Sequence, residues 1–307
     1  MAYLRLARLK QWAKSVFVLI GPVYWLQDNR PEAWGGFVLT CGLTALAFAL
    51  ASSACYVFND LADIESDRAH PRKCRRPLAS GAISPAAGRI FAGVLGVLAA
   101  VCVVFLEPAA RSWVGGLLAL YVVNVLTYSA ALKHRAIADT MSLSMGFVLR
   151  VLGGCAAVLI PPSTWLLSVT FFLALLLSFG KRLGERATFS GDAEAAARAR
   201  PVQASYSSEL LRMMVVVSGV ATLLTYAGYV STREDRYTFG AEGEFGFNLL
   251  WLTLLPATYG LLRAILLLER GRYDDPTELA VNDRPFQVSA LAFGGLTLGL
   301  LWWSSGG

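Results

Sequence analysis

Histidine is nearly missing from this chain: His70 and His134 are the only two among 307 residues. A metal site built on clustered imidazoles is therefore excluded. Charge is scarce as well, at 16% of residues, where a soluble domain carries roughly 25%. The five cysteines (Cys41, Cys55, Cys74, Cys102 and Cys155) form no CxxC pair, and four of them sit in apolar runs. They read as buried thiols in a reducing context, not as a disulfide framework. No short repeat and no low-complexity tract is present. The first apolar run lacks a small-residue cleavage site and is followed by many more, so a removable leader is not expected.

What fills the chain is apolar surface. Hydrophobic residues make up 56% of it, and the mean hydropathy is +0.54. The stretch 36–58, GFVLTCGLTALAFALASSACYVF, runs 23 residues without a charge, and about 20 suffice to cross a bilayer as a helix. Hydropathy predicts nine spans, near 12–27, 36–58, 90–106, 113–132, 137–160, 164–179, 213–231, 247–268 and 287–303. The sixth is short, and the eighth contains Pro256. The expectation is an all-α polytopic membrane protein, one nine-helix domain over 1–307 with a cap of cytoplasmic loops.

Lysine and arginine orient it. On the side of the N-terminus lie 21 of the 27 basic residues, against four (Arg30, Arg111, Arg233 and Arg236) on the other. The positive-inside rule places the N-terminus and the large loops in the cytoplasm, with the protein in the inner (plasma) membrane. Topology alone recruits such bases, so the net charge of +6 calls for no nucleic-acid partner. Two of these loops, 59–89 and 180–212, are longer than joining helices requires, and connections of that length are often functional.

The first long loop opens with NDLADIESDRAHPRKCRRPLASG at 59–81. If the second span continues as a helix, Asn59, Asp60, Asp63 and Asp67 fall on one arc at i, i+1, i+4 and i+8, with Glu65 pointing elsewhere. Aligned like charges repel, and a divalent cation gives them a purpose. Hard carboxylate oxygens suit Mg2+, which takes one or two protein carboxylates and completes its shell with substrate phosphates. Pro71 disfavours continuation of the helix past His70. Arg72, Lys73, Arg75 and Arg76 follow, so acids for a metal are succeeded by bases for phosphates.

The pattern NDxxDxxxD at the end of the second span resembles the first aspartate-rich motif of the UbiA prenyltransferase superfamily, intramembrane enzymes that bind a diphosphate through Mg2+. Usual members carry DxxxD after the sixth span. Here the matching place reads FGKRLGERA at 179–187, offering Lys181, Arg182 and Glu185. QWAKS at 11–15, HPRKCRRPLASG at 70–81, YSAALKHRAIAD at 128–139, GFVLRVLGG at 146–154, GKRLGE at 180–185 and DDPTELAVNDRP at 274–285 are similar to the phosphoribosyl-transferring branch of that superfamily. The resemblance implies a Mg2+-dependent transfer of the 5-phosphoribosyl group of phosphoribosyl pyrophosphate (PRPP) to a long-chain polyprenyl (decaprenyl) phosphate, releasing diphosphate. Such a step leads toward lipid-linked arabinose donors for cell-wall polysaccharide. No counterpart of the soluble phosphoribosyltransferase PRPP loop is present.

On that reading Asp60, Asp63 and Asp67 are the catalytic metal ligands. Lys14, Asn59, Lys73, Arg76, Tyr128, Lys133, Lys181, Arg182 and Glu185 bind PRPP. Arg150 lies inside the fifth span on a face with Asp139, Ser142, Gly146 and Gly153; it either holds the lipid phosphate or pairs with a protein acid. Asn124 and Thr127 read as inter-helix hydrogen-bonding residues. Asp274, Asp275 and Glu278 read as ordering their loop. Two rival functions stay open: prenyl transfer to an aromatic acceptor, and transport. Against transport, the acids cluster at one face, and no pair of broken helices sits at matching depth.

Overall fold

The computed structural model describes residues 1–26, 29–69, 73–188, 202, 205–239, 246–270 and 282–305. Twelve α-helices account for nearly all of its regular structure: α1 (Ala2–Leu6), α2 (Phe17–Trp25), α3 (Trp34–Ala62), α4 (Ile64–Ala69), α5 (Pro85–Val104), α6 (Pro108–Ala130), α7 (Ala138–Ala157), α8 (Thr164–Thr188), α9 (Ser208–Ser231), α10 (Glu234–Tyr237), α11 (Leu254–Glu269) and α12 (Arg284–Ser305). A two-residue antiparallel ribbon pairs Thr238 with Asn248 and Phe239 with Phe247.

Local chemistry sets many of the boundaries. Pro85 opens α5 behind Ser84, whose hydroxyl accepts from the Ala87 amide, and Pro108 opens α6. Proline at the first helical position lacks only a hydrogen that would have no partner there. Ser207 caps α9 by accepting from Leu210. Asp283 caps α12 through the Phe286 amide.

Among the described residues, eight helices are long and apolar enough to cross a membrane. They match the second to ninth predicted spans, and the protein is a multi-pass membrane protein. The first predicted span takes a different form, a 3-10 segment over Leu9–Val16 followed by the nine-residue α2, with Pro22 inside it. The short sixth span proves to be the 25-residue α8. Pro256 falls in the first turn of α11, after a 3-10 turn over Leu249–Thr253, where proline is tolerated.

The chain forms two compact units, 1–131 with 145–162, and 132–144 with 163–307. The core of the first unit includes Val18, Phe48, Val57, Leu78, Val114, Tyr121 and Leu149. Two glycines of GFVLRVLGG permit close packing there. A Cβ at Gly154 would lie 1.7 Å from the Val18 carbonyl oxygen, and one at Gly153 would lie 2.4 Å from the Phe48 ring. Small residues of this kind let helices approach where lipid supplies no hydrophobic drive. In the second unit Leu176, Phe179, Leu183, Tyr206, Leu211 and Leu268 form the larger core. Long apolar side chains such as Val97 and Trp302 point outward, as a hydrocarbon surrounding requires.

Candidate active site

In the first unit α3 stops at Ala62, and Asp63 adopts φ −98°, ψ 10° before α4 resumes the helix. The interruption is slight. The Asp63 amide still donates to Asn59 O (3.0 Å) and that of Asp67 to Asp63 O (2.8 Å). Asp60 and Asp67 are buried and share one partner: Arg76 Nη1 donates to Asp60 Oδ1 (3.1 Å) and to Asp67 Oδ2 (2.7 Å). Arg8 Nη2 reaches the same Asp60 oxygen at 2.6 Å, and its guanidinium lies 4.8 Å from the centre of the Tyr56 ring. Asp63 Oδ2 instead accepts from Asn59 Nδ2 at 3.1 Å.

The basic loop is built to deliver Arg76. A 3-10 turn over Lys73–Arg75 precedes it, and its amide closes on Lys73 O at 2.9 Å. Arg68 Nε ties α4 to Ala79 O, Leu78 and Ile83 are buried, and Gly81 takes φ +78°, a conformation that glycine enters without strain. His70, Pro71 and Arg72 lie outside the described residues.

Among the described residues, no three acidic, cysteine or histidine side chains group as a metal site. Asp60 and Asp67 share Arg76, while Asp63 accepts from Asn59. Arg76, expected on phosphate, stands between those carboxylates. One cationic nitrogen already touches both, so the pair is within reach of a shared cation. Two hard carboxylates also match what Mg2+ takes from a protein. The donor set fits the ion.

Around this cluster, Trp12 Nε1 donates to Ser53 Oγ (2.9 Å), which donates to Ala7 O (2.7 Å), so the QWAKS segment is anchored on α3. Lys14, on that segment, and Lys73 and Tyr128 are half-buried. Arg150 is buried and pairs with no acid among the described residues. It donates from Nη1 to Gly146 O (2.9 Å) and from Nη2 to Tyr121 Oη (2.7 Å) and Ser52 Oγ (3.4 Å).

The second unit holds the other predicted residues. Lys133 lies in the 3-10 turn Leu132–His134, and Lys181, Arg182 and Glu185 lie on α8. Arg182, expected to grip phosphate, is instead 1% exposed. Its Nε donates to Asp139 Oδ2 and its Nη1 to Glu185 Oε2, both at 2.9 Å. Asp139 is fully buried, and its other oxygen accepts from Tyr206 Oη at 2.7 Å. The same hydroxyl accepts from the Ile137 amide at 2.6 Å. Ile137 has φ +67°, a conformation that strains a β-branched residue, and Tyr206 holds it. Burial, chiefly, pushes the Tyr206 hydroxyl up to about 12, with the Asp139 carboxylate adding to the rise. Lys181 and Lys133 are half-buried. Arg263, inside a span, makes a two-pronged pair with Asp283 at 3.2 and 2.9 Å. Asp274, Asp275 and Glu278 lie outside the described residues.

Eight apolar helices among the described residues, with two buried acids held by half-buried arginines at the end of one, describe an integral membrane enzyme more readily than a scaffold. The chain belongs to the UbiA prenyltransferase family, whose profile matches residues 15–303, and it is a transferase. It is similar to decaprenyl-phosphate phosphoribosyltransferase of Mycolicibacterium smegmatis, 30% identical over 94% of this chain and 89% of that one. The protein of the same name from Mycobacterium tuberculosis is 29% identical over 93% of this chain and 89% of its own length. Among solved structures, a UbiA homolog from Archaeoglobus fulgidus bound to DMAPP and Mg2+ matches with a TM-score of 0.67. It covers 98% of this chain and 99% of that one, at 16% identity, a likeness of fold.

Proposed function

We propose that this protein transfers the 5-phosphoribosyl group of PRPP to a long-chain polyprenyl phosphate. An acceptor phosphate oxygen bonds to ribose C1 as the bond from C1 to the diphosphate oxygen breaks, and the electron pair leaves with diphosphate. The nucleophile is already anionic and needs placement, not deprotonation, which suits a chain with two histidines. Charge builds on the leaving diphosphate, so the site must supply positive charge there. Mg2+, held by Asp60 and Asp67, would supply part of it.

The observation that carries this reading is Arg76 standing between Asp60 and Asp67, with Arg8 beside it. These are cations already gathered at the carboxylates, on side chains long enough to turn onto a bound diphosphate. Lys14, Lys73 and Tyr128 are proposed as further donors to PRPP, with Asn59 orienting Asp63. For Lys133, Lys181 and Glu185 a PRPP contact is proposed on sequence resemblance alone. Arg182 is assigned to support, not to the substrate. The N-terminus and the acidic end of α3 are proposed to face the cytoplasm, where PRPP is made, as the bias of basic residues directs.

The test is product mass. Purified protein with magnesium, PRPP and polyprenyl phosphate should yield polyprenyl phosphoribose and diphosphate, and should leave polyprenyl diphosphate and 4-hydroxybenzoate unchanged. Asp60→Asn should lower turnover at least about a hundredfold, as losing one electrostatic contact to developing charge does. A prenylated aromatic with no phosphoribosyl lipid would overturn the assignment and leave the family standing.

A further inference from the structure

Arg150 has an unusual set of neighbours. It is 4% exposed, yet none of its hydrogen-bond partners, Gly146 O, Tyr121 Oη and Ser52 Oγ, carries a charge. Its guanidinium carbon lies 4.5 Å from the centre of the Tyr121 ring and 5.9 Å from that of Phe147, contacts that soften the cost of burial without cancelling the charge. Arginine does not shed its proton inside a protein. A full positive charge therefore stands within the span, and its Nε is buried with no hydrogen-bond partner. Tyr121 and Ser52 accept from Nη2 and bond to each other, so one of their two hydroxyl hydrogens is left to donate. Two donors, Nε–H and one hydroxyl, belong to a cation with no acid against it among the described residues, which is a donor set for a phosphate oxyanion.

The depth of this group narrows the ligand. Ser52 precedes Asp60 by eight residues on α3, about 12 Å at 1.5 Å per residue, toward the interior of the span. A displacement at C1 needs two phosphate groups on opposite sides of the sugar. We infer that Arg150, with Tyr121 and Ser52, binds a phosphate monoester, that of the polyprenyl acceptor, below the diphosphate held at Asp60 and Asp67. The inference rests on the proposed function. The 5-phosphate of PRPP has the same chemistry, and separate binding measurements tell the two apart.

The experiment measures equilibrium binding of labelled polyprenyl phosphate, polyprenol and PRPP with magnesium to full-length protein in nanodiscs. The parent protein should prefer polyprenyl phosphate over polyprenol by at least about tenfold, the worth of hydrogen bonds to a charged group. Arg150→Gln should abolish that preference and leave PRPP binding within twofold. If Arg150→Gln does not fold, the double variant Tyr121→Phe with Ser52→Ala keeps the arginine and should still reduce the preference several-fold. A preference retained in whichever variant folds would make Arg150 a packing residue and overturn the inference, while phosphoribosyl transfer by the parent protein would stand. Loss of PRPP binding in place of lipid binding would assign the group to the donor and equally overturn it. A parent protein with no preference for the phosphorylated lipid would instead remove the proposed function.

Discussion

The buried pair Arg182–Asp139 separates a support from a ligand, because the two roles fail differently. Asp139 is fully buried and Arg182 1% exposed. In Asp139→Asn the side chain keeps its volume and can still accept a hydrogen bond, but the charge is gone. The guanidinium is left with Glu185, a carboxylate 26% exposed and correspondingly screened. Removing one partner of a buried pair costs about 3–5 kcal/mol, and the remaining carboxylate sets the expectation at about 3 kcal/mol. Arg182→Met alone should cost a similar amount, since it strands Asp139. The double variant takes both charges out and should return to within about 1 kcal/mol of the parent, because a buried pair is often replaceable by neutral groups of like volume. Unfolding each protein in mixed detergent micelles gives the four free energies of this cycle. The coupling should be large, and PRPP affinity in the double variant should stay close to that of the parent. An Arg182→Met protein as stable as its parent but unable to bind PRPP would refute the reasoning and restore Arg182 as a phosphate ligand.

Tyr206 gives a dependence on pH. Its hydroxyl titrates near 12 in the folded protein against 10 for the free side chain, so the folded state holds the proton more tightly. The stability it adds is fully present below pH 10 and is lost as the pH rises through 12. The difference in unfolding temperature between the parent and Tyr206→Phe should therefore be greatest below pH 10 and shrink toward pH 12; a constant difference would mean that the hydroxyl bonds to Ile137 and Asp139 are not made. Gly154→Ala places a Cβ against the Val18 backbone carbonyl, which cannot rotate aside, and should cost about 1–3 kcal/mol or more. Gly96→Ala meets open space and should be neutral or slightly stabilising in the same unfolding assay.

Most of the helical frame was legible in the sequence because hydropathy over some twenty residues is a local signal, and α3 and α5 to α9 lie where it places them. The Leu9–Val16 segment was not, since nothing in its composition distinguishes a 3-10 helix from an α-helix. Aspartate spacing pointed to Asp60, Asp63 and Asp67. The break at Asp63, a single residue leaving helical geometry, has no signature in a run of Asp, Leu and Ala. Arg8 joins Asp60 from 52 residues away, and Tyr206 meets Asp139 from 67. Each is a lone residue in a stretch without periodicity, so spacing could not find it. The burial of Arg182 was not legible because it is decided by its partner, Asp139, which is 43 residues distant.

The contact between Gly154 and the Val18 carbonyl also bears on how the protein is assembled. Leu9–Trp25 is short and half 3-10, with a proline in it, and backbone of that kind is tolerated at membrane depth only when other protein covers it. Its seat on α7 is synthesised about 130 residues later, so the segment emerges from the ribosome before the surface that retains it exists. Until Gly153 and Gly154 arrive, this amino-terminal segment has α3 to rest on, through Trp12 and Arg8, but not the glycine seat of α7. Arg8 rides on that segment, and with it one of the two guanidinium contacts to Asp60. The Arg8 contact can thus form once α3 is made, whereas α2 is covered only when the fifth predicted span has entered the bilayer.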